Sequence, residues 1–162
     1  MTVAVVADLS DSPAVLRAAA ELIEDNGLYK WDRWKGAFQG VEWAPGMALC
    51  PLAALTMVAG KTDVQHIVNT STIRALVTYL TGNANAYAGF SAGKSRYYEI
   101  SLWSDNPSTT YEDVVDTLRK VADIEEGRIT LELERRGELV TPVTVETVPA
   151  LAPVEVVDLD AQ

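Results

Sequence analysis

Apolar residues recur at steps of three and four between residues 111 and 122, and this pattern predicts an amphipathic helix of about four turns. Pro107 disfavours an α conformation at Asn106, so the preceding element should end there. Thr109 lies three residues before Glu112, which is the spacing of a capping box. The apolar face of the predicted helix comprises Tyr111, Val114, Val115, Leu118, Val121 and Ala122.

Further helices are predicted upstream. Ser12 and Pro13 suit the cap and the first position of a helix that stops at Asn26-Gly27. The other predicted helical segments are 50–60, 62–69, 72–81 and 97–103. The segment 50–60 is apolar on all sides. The segment 97–103 could instead be a strand.

After Gly127 the periodicity changes to two. Ile129, Leu131 and Leu133 alternate with polar residues, and Arg136-Gly137 follows as a turn. Alternation about a glycine turn is typical of a β-hairpin, which we place at about 128–148.

The predicted fold class is therefore mainly α, a compact multi-helix domain with a C-terminal β-hairpin appendage. The domain covers residues 1–126, and the hairpin with an acidic C-terminal segment covers 127–162. An isolated hairpin is marginal in water, so this one is expected to pack on the helices or to pair with a second copy in a homodimer.

Negative charge is concentrated near the C-terminus. Residues 123–162 hold ten acidic and three basic side chains (net −7), whereas residues 1–122 hold thirteen and ten (net −3), which together give −10. Direct nucleic-acid binding is disfavoured, because phosphate contacts need a basic face. A basic protein partner, or mimicry of DNA by the acidic segment, stays open.

The composition favours a cytoplasmic protein. No apolar run approaches the ~18 residues of a membrane span, and no signal peptide is recognisable. The single cysteine, Cys50, fits a reducing compartment.

Three of the four tryptophans, Trp31, Trp34 and Trp43, fall in a glycine- and proline-containing loop over 28–47. Large aromatics in an irregular segment need burial. Two interpretations remain open: the loop folds back as a lid on the helices, or it presents aromatic anchors to a partner.

Residues Ala88–Ser95 match a loose phosphate-binding pattern that ends in Gly93, Lys94 and Ser95. In a true site this loop follows a buried strand and opens a helix. The preceding residues 82–87 are small and polar, so that strand is not predicted. A loop that happens to end in Gly-Lys-Ser is favoured.

Three other candidates have simple structural interpretations. His66, with Asp63 three residues earlier, provides too few ligands for a zinc site. Cys50 precedes a helix but suits a buried apolar position. Asp105 and Asn106 belong to a turn in which such side chains satisfy backbone amides. We predict no catalytic residue, no metal site and no cofactor.

Two stretches carry a family resemblance. Cys50-Pro51-Leu52-Ala53-Ala54-Leu55 resembles a Cys-Ala-Leu-Gly-Ala-Leu helix start, and Trp103-Ser104-Asp105-Asn106-Pro107 with Thr109 or Thr110 resembles a Trp-Asn-Asp-x-Pro-x-x-Thr turn. Both occur in the small uncharacterised proteins of actinobacteria and their phages grouped as domain of unknown function 6197. The resemblance covers about Pro13 to Ala122 and implies a compact helical domain, often phage-encoded, with no established activity.

The leading hypothesis is a non-enzymatic interaction protein, such as a phage accessory protein that binds a host protein in the host cytoplasm. Its partner could also be another phage protein. A nucleotide-binding protein or enzyme that uses Gly93, Lys94 and Ser95 is the alternative, and an acidic DNA mimic is a further one. The predicted partner-binding residues are Trp31, Trp34, Trp43, Trp103 and Asp105.

Overall fold

The computed structural model describes residues 11–30, 46–61, 63–85 and 93–138. These residues are mainly helical, as predicted. Their elements in chain order are α1 (Ser12–Asn26), α2 (Pro51–Val58), a short 3-10 helix (Val64–His66), α3 (Ser71–Thr81), α4 (Gly93–Asp105) and α5 (Tyr111–Arg136).

Helices α1 and α5 pack side by side in opposite directions. Arg17, early in α1, donates hydrogen bonds to Asp123 at 2.8 Å and to Glu126 at 2.6 Å. Later in α1, Glu24 accepts two hydrogen bonds from Arg119 at 2.8 and 2.5 Å. These exposed ion pairs hold the register of the two helices, while apolar side chains between them form the core. Exposed pairs of this kind contribute about 0–1 kcal/mol each, so the buried apolar surface supplies most of the stability.

Helix α2 lies in the centre of the molecule. Its sequence is apolar on every side, which is the pattern of a fully buried helix. Every residue from Pro51 to Val58 except Met57 is buried. The one polar side chain, Thr56, satisfies its hydroxyl by donating to the carbonyl oxygen of Leu52 at 2.6 Å.

The buried face of α4 is built from residues that are unusual for such a position. Gly93, Arg96, Ile100 and Ser104 recur at steps of three and four, and all four are buried. A Cβ atom added at Gly93 would lie 2.8 Å from a methyl carbon of Val68, so only glycine allows this close approach. The start of α4 is thereby fixed against the turn that precedes α3.

Most helix predictions are confirmed, including the stop at Gly27 and helical structure over 97–103. The cap of α1 is Asp11 instead of Ser12. The segment over 62–69 is separate from α3, as predicted, but only Val64–His66 is helical, as a 3-10 helix. The cap of α5 differs by one residue. Thr110 caps the helix, and its partner in the capping box is Asp113, whereas the prediction named Thr109 and Glu112. Thr109 is instead buried in the preceding turn.

The first strand of the predicted hairpin is helical. Residues 129–136 continue α5 without a break at Gly127, and Arg136-Gly137 is the end of that helix. The amide of Gly137 donates to the carbonyl of Glu134, and the amide of Glu138 to that of Leu133, which is a Schellman C-cap. The predicted second strand, from residue 139 on, lies outside the described residues.

Helical spacing explains this correction. Glu132 accepts hydrogen bonds from Arg135 and Arg136, at the three- and four-residue separations that a helix brings together. Ile129 and Leu133 are partly buried, whereas Leu131 is exposed. The predicted boundary at 126/127 falls inside this helix. The predicted homodimer pairs through a hairpin, and the residues of its first strand are helical in the structure.

Candidate functional site

Three chain segments lie side by side where α1 ends and α5 begins. Residues 27–30 and 46–49 form a parallel bridge at Leu28 and Leu49. The turn over 106–109, between α4 and α5, contacts the first segment through Lys30. We call these three segments the loop junction.

Backbone hydrogen bonds join the first two segments. The Tyr29 amide donates to the carbonyl oxygen of Leu49 at 3.1 Å, and the Leu49 amide donates to that of Gly27 at 2.9 Å. The side chain of Asn26 accepts a further hydrogen bond from the amide of Gly46 at 2.9 Å. The two ends of the tryptophan-containing loop are therefore fixed together at the end of α1.

The turn over 106–109 is held by its own hydrogen bonds. The Asn106 side chain accepts from the amide of Ser108 at 2.9 Å and from its hydroxyl at 2.7 Å, which is the turn chemistry predicted for this residue. The Thr109 amide donates to the Asn106 carbonyl oxygen at 3.0 Å. The ammonium of Lys30 adds a hydrogen bond to that carbonyl at 2.7 Å and another to the carbonyl of Thr109.

Directly after the turn, the capping box of α5 carries a negative charge. The Asp113 carboxylate accepts a hydrogen bond from the Thr110 amide at 2.8 Å, and the Thr110 hydroxyl accepts one from the Asp113 amide at 3.1 Å. The hydrogen bonds from Thr110 lower the pKa of Asp113, and the nearby charge of Lys30 lowers it further. The start of α5 is thus negatively charged above acidic pH.

Large apolar side chains are exposed on the loop junction and on the last turn of α4, which leads into it. Tyr29 exposes 46% of its surface, Met47 40%, and Leu102, in the last turn of α4, 61%. Trp103 is only half-buried and packs against the core. Asp105, the last residue of α4, is partly exposed.

The predicted partner-binding residues therefore fall into two groups. Trp103 and Asp105 lie at the end of α4, next to the turn that Lys30 contacts. Trp31, Trp34 and Trp43 lie outside the described residues, but Lys30 directly precedes Trp31 in the chain. The structure thus brings the start of the aromatic segment beside the turn that carries the family resemblance.

Acidic residues border the junction on the α1–α5 side. The hydrogen bonds from Arg119 to Glu24 raise the pKa of Arg119, and the charges of Asp116 and Glu21 raise it further. Among the described residues, the carboxylates near this end of the two helices that form no ion pair are Glu21, Asp25, Glu112, Asp113 and Asp116.

Beyond residue 122, four of the six carboxylates among the described residues are paired with arginines. In the described part of α5 beyond residue 122, Asp123, Glu125, Glu126 and Glu132 all contact arginine side chains.

The candidate nucleotide residues open α4. Gly93 is buried against Val68 and Asn69, and the residues described immediately before the gap at 86–92 are helix and turn. The strand that precedes a phosphate-binding loop is therefore not found in the described part of the chain. Arg96 directs its guanidinium into the protein, where Nη1 donates to the carbonyl of Val68 and to the side chain of Asn69.

His66 and Cys50 have the positions that the simple interpretations gave them. His66 is exposed in the 3-10 helix, and Asp63 caps that helix by accepting a hydrogen bond from the Gln65 amide at 2.9 Å. Cys50 is a buried thiol. Within the described ranges no three His, Cys, Asp or Glu side chains are grouped to hold a metal ion, and none of the described helices is long and apolar enough to cross a bilayer.

Sequence reasoning missed Lys30 and Arg96. Lys30 contacts two residues that lie 76 and 79 positions later in the chain, and no local sequence pattern predicts such a contact. Arg96 lies four residues before Ile100, on the face that Gly93 also occupies, and this face lacks the apolar stripe by which a buried helix face is recognised.

Comparison with known proteins places the chain in a family but gives it no characterised relative. The family model described as "Family of unknown function (DUF6197)" matches residues 9–124. No curated protein and no solved structure matches the chain. The match covers all the helices from α1 to α4 and the first half of α5.

Proposed function

The chain belongs to DUF6197, a family of unknown function, and we propose that it is a non-enzymatic protein-interaction module. Its contact surface is the loop junction together with the last turn of α4. In line with the resemblance to phage-encoded proteins, the proposed role is that of an accessory protein that binds a host protein in the host cytoplasm.

The observation that carries this proposal is the exposure of Tyr29 and Met47 on the hydrogen-bonded loop junction and of Leu102 in the last turn of α4, which leads into it. Large apolar side chains that stay exposed on a rigid scaffold are typical anchors of protein interfaces, because binding orders few additional groups. Trp103 and Asp105 adjoin these anchors, and Trp31, Trp34 and Trp43 complete the proposed surface from the neighbouring chain segment.

The charge of the surroundings supports a basic partner. The carboxylates of Glu112 and Asp116 on α5 and of Glu21 and Asp25 on α1 form no ion pair among the described residues. Acidic side chains around apolar anchors favour a partner with lysine or arginine at the rim, and they increase the rate of association at low salt.

The test is affinity capture from an actinobacterial lysate with matched surface variants. Leu102→Ser removes an anchor, while Leu131→Ser removes a side chain of similar exposure, 67%, on the far part of α5. The Trp31→Ala/Trp34→Ala double variant probes the aromatic segment. Circular dichroism and thermal unfolding establish that each variant is folded before capture.

We expect one basic protein to be retained by the wild type and by Leu131→Ser, and lost with Leu102→Ser and with the double tryptophan variant. Its retention should weaken between 50 and 300 mM salt, as rim charges predict. Equal loss with Leu102→Ser and Leu131→Ser, or no protein that depends on Leu102, would contradict the proposal.

A further inference from the structure

The loop junction is held together by two kinds of contact that differ in strength and origin. On one side, residues 27–30 share two backbone hydrogen bonds with Leu49. On the other side, the Lys30 ammonium donates to the carbonyl oxygens of Asn106 and Thr109. Hydrogen bonds from a charged donor are stronger than those between neutral groups. Lys30 thus connects the segment after α1 to the turn before α5.

The turn does not need Lys30 for its own conformation. Asn106 accepts from Ser108 through its side chain and from the Thr109 amide through its carbonyl oxygen. The following capping box of Thr110 and Asp113 fixes the start of α5 independently. We therefore expect the turn to stay intact when the ammonium is removed, while the contact between the turn and residues 27–30 is lost.

The segment that Lys30 attaches to the turn carries the exposed side chain of Tyr29. The Tyr29 amide is bonded to Leu49, and Met47 lies two residues before Leu49, so the two exposed side chains belong to one hydrogen-bonded unit. Leu102 belongs to the other unit, because α4 leads directly into the turn. Lys30 spans the two units.

We propose that Lys30 is a positioning residue, which fixes Tyr29 and Met47 relative to Leu102 and so pre-organises the contact surface. This inference rests on the proposed function for its biological meaning, while the coupling itself is a property of the free protein. Pre-organisation of this kind lowers the entropic cost of binding.

The experiment compares Lys30→Met, which keeps the length of the side chain but removes the charge, with Lys30→Arg, which restores two donors. Lys120→Met, on the exposed face of α5, is the control for the loss of one positive charge. Hydrogen exchange is measured by NMR on the free proteins for the amides of Tyr29, Leu49, Thr109 and Leu118. The carbonyl carbon shift of Asn106 reports the hydrogen bond directly.

In Lys30→Met we expect the Asn106 carbonyl shift to change and exchange at Tyr29 and Leu49 to accelerate by about tenfold, because the segment now opens locally. Exchange at Thr109 and Leu118 should stay within about twofold, since the turn and the core remain closed. Lys30→Arg should restore slow exchange, and Lys120→Met should change nothing.

Unchanged exchange at Tyr29 in Lys30→Met, or an equal acceleration at Leu118, would overturn the positioning role. Binding of the captured protein provides the second readout: Lys30→Met should weaken it by about tenfold relative to Lys120→Met. Binding that Leu102→Ser abolishes but Lys30→Met leaves unchanged would also overturn it. If no partner depends on Leu102, the proposed function fails, and the exchange rates still decide whether Lys30 couples the two units.

Discussion

The guanidinium of Arg96 donates a hydrogen bond of 2.7 Å to the side-chain oxygen of Asn69, although Arg96 exposes only 1% of its surface. The same nitrogen donates to the Val68 carbonyl oxygen at 3.0 Å. Burial lowers the pKa of Arg96, and the positive charge of Arg74 lowers it further. Helix α4 is therefore attached to the turn before α3 by a buried cation.

Replacing Arg96 by Met should destabilise the protein by about 2–4 kcal/mol, because two buried acceptors lose their donor. Urea unfolding followed by circular dichroism measures this. Arg74→Met is the matched control: Arg74 is exposed, and removing its charge should change the free energy of unfolding by less than about 0.5 kcal/mol or increase it slightly. Similar losses in the two variants would show that Arg96 does not anchor α4.

Gly127→Ala should stabilise the protein by about 0.5–1 kcal/mol, since alanine is the better residue inside a helix. A Cβ atom at this position meets nothing within 4 Å. Gly137→Ala should have the opposite effect, because Gly137 has a φ of 71°, which alanine rarely adopts. Thermal unfolding of both variants distinguishes the long helix from the hairpin: a destabilised Gly127→Ala would speak for a turn at residue 127.

The capping box predicts a specific dependence of stability on pH. The hydrogen bonds from Thr110 hold the pKa of Asp113 below its ordinary value of 3.8 in the folded protein. The ionised form is therefore stabilising above about pH 4, and this contribution is lost as the pH falls through the lowered pKa.

We expect wild type to be more stable than Asp113→Asn between pH 5 and 7, and the difference to shrink as the pH falls below 3.8. Urea unfolding at a series of pH values measures it. Glu112→Gln, one residue earlier in the same exposed turn, provides the control. A difference that does not vary with pH would mean that the carboxylate charge plays no part in the cap.

Mg-ATP and other nucleotides should leave the unfolding temperature unchanged, because the start of α4 at Gly93 is packed against Val68. A ligand at 100 times its dissociation constant would stabilise by about 2.7 kcal/mol, which raises the midpoint of a domain of this size by about 5–10 °C. A shift of that size that Lys94→Ala abolishes would revive the nucleotide alternative.

The sequence predicted those helices whose ends carry their own signals. Gly27 and Gly82 stop α1 and α3, and Pro107 separates α4 from α5. Such signals are local, so they can be recognised without the tertiary structure. The extent of α4 was underestimated, because its buried face includes Gly93 and Arg96 and therefore lacks an apolar stripe.

The second half of α5 was misassigned for a different reason. Ile129, Leu131 and Leu133 alternate with polar residues. This pattern fits a strand, but it also fits an exposed helix in which most of the other positions are charged. What decides is the set of ion pairs at helical spacing, of which Glu132 with Arg135 is one. The contact of Lys30 could not be predicted, because it depends on how distant segments meet.

The length of α5 has a consequence for whatever follows it. The family match ends at residue 124, and Glu126 is the last residue of α5 that Arg17 contacts. The helix nevertheless continues to Arg136. Each residue inserted or deleted in this last part would shift Gly137 by about 1.5 Å along the axis and turn it by about 100° around it. The direction in which the chain leaves the domain is thus set by a residue count, and evolution can change it without altering the core.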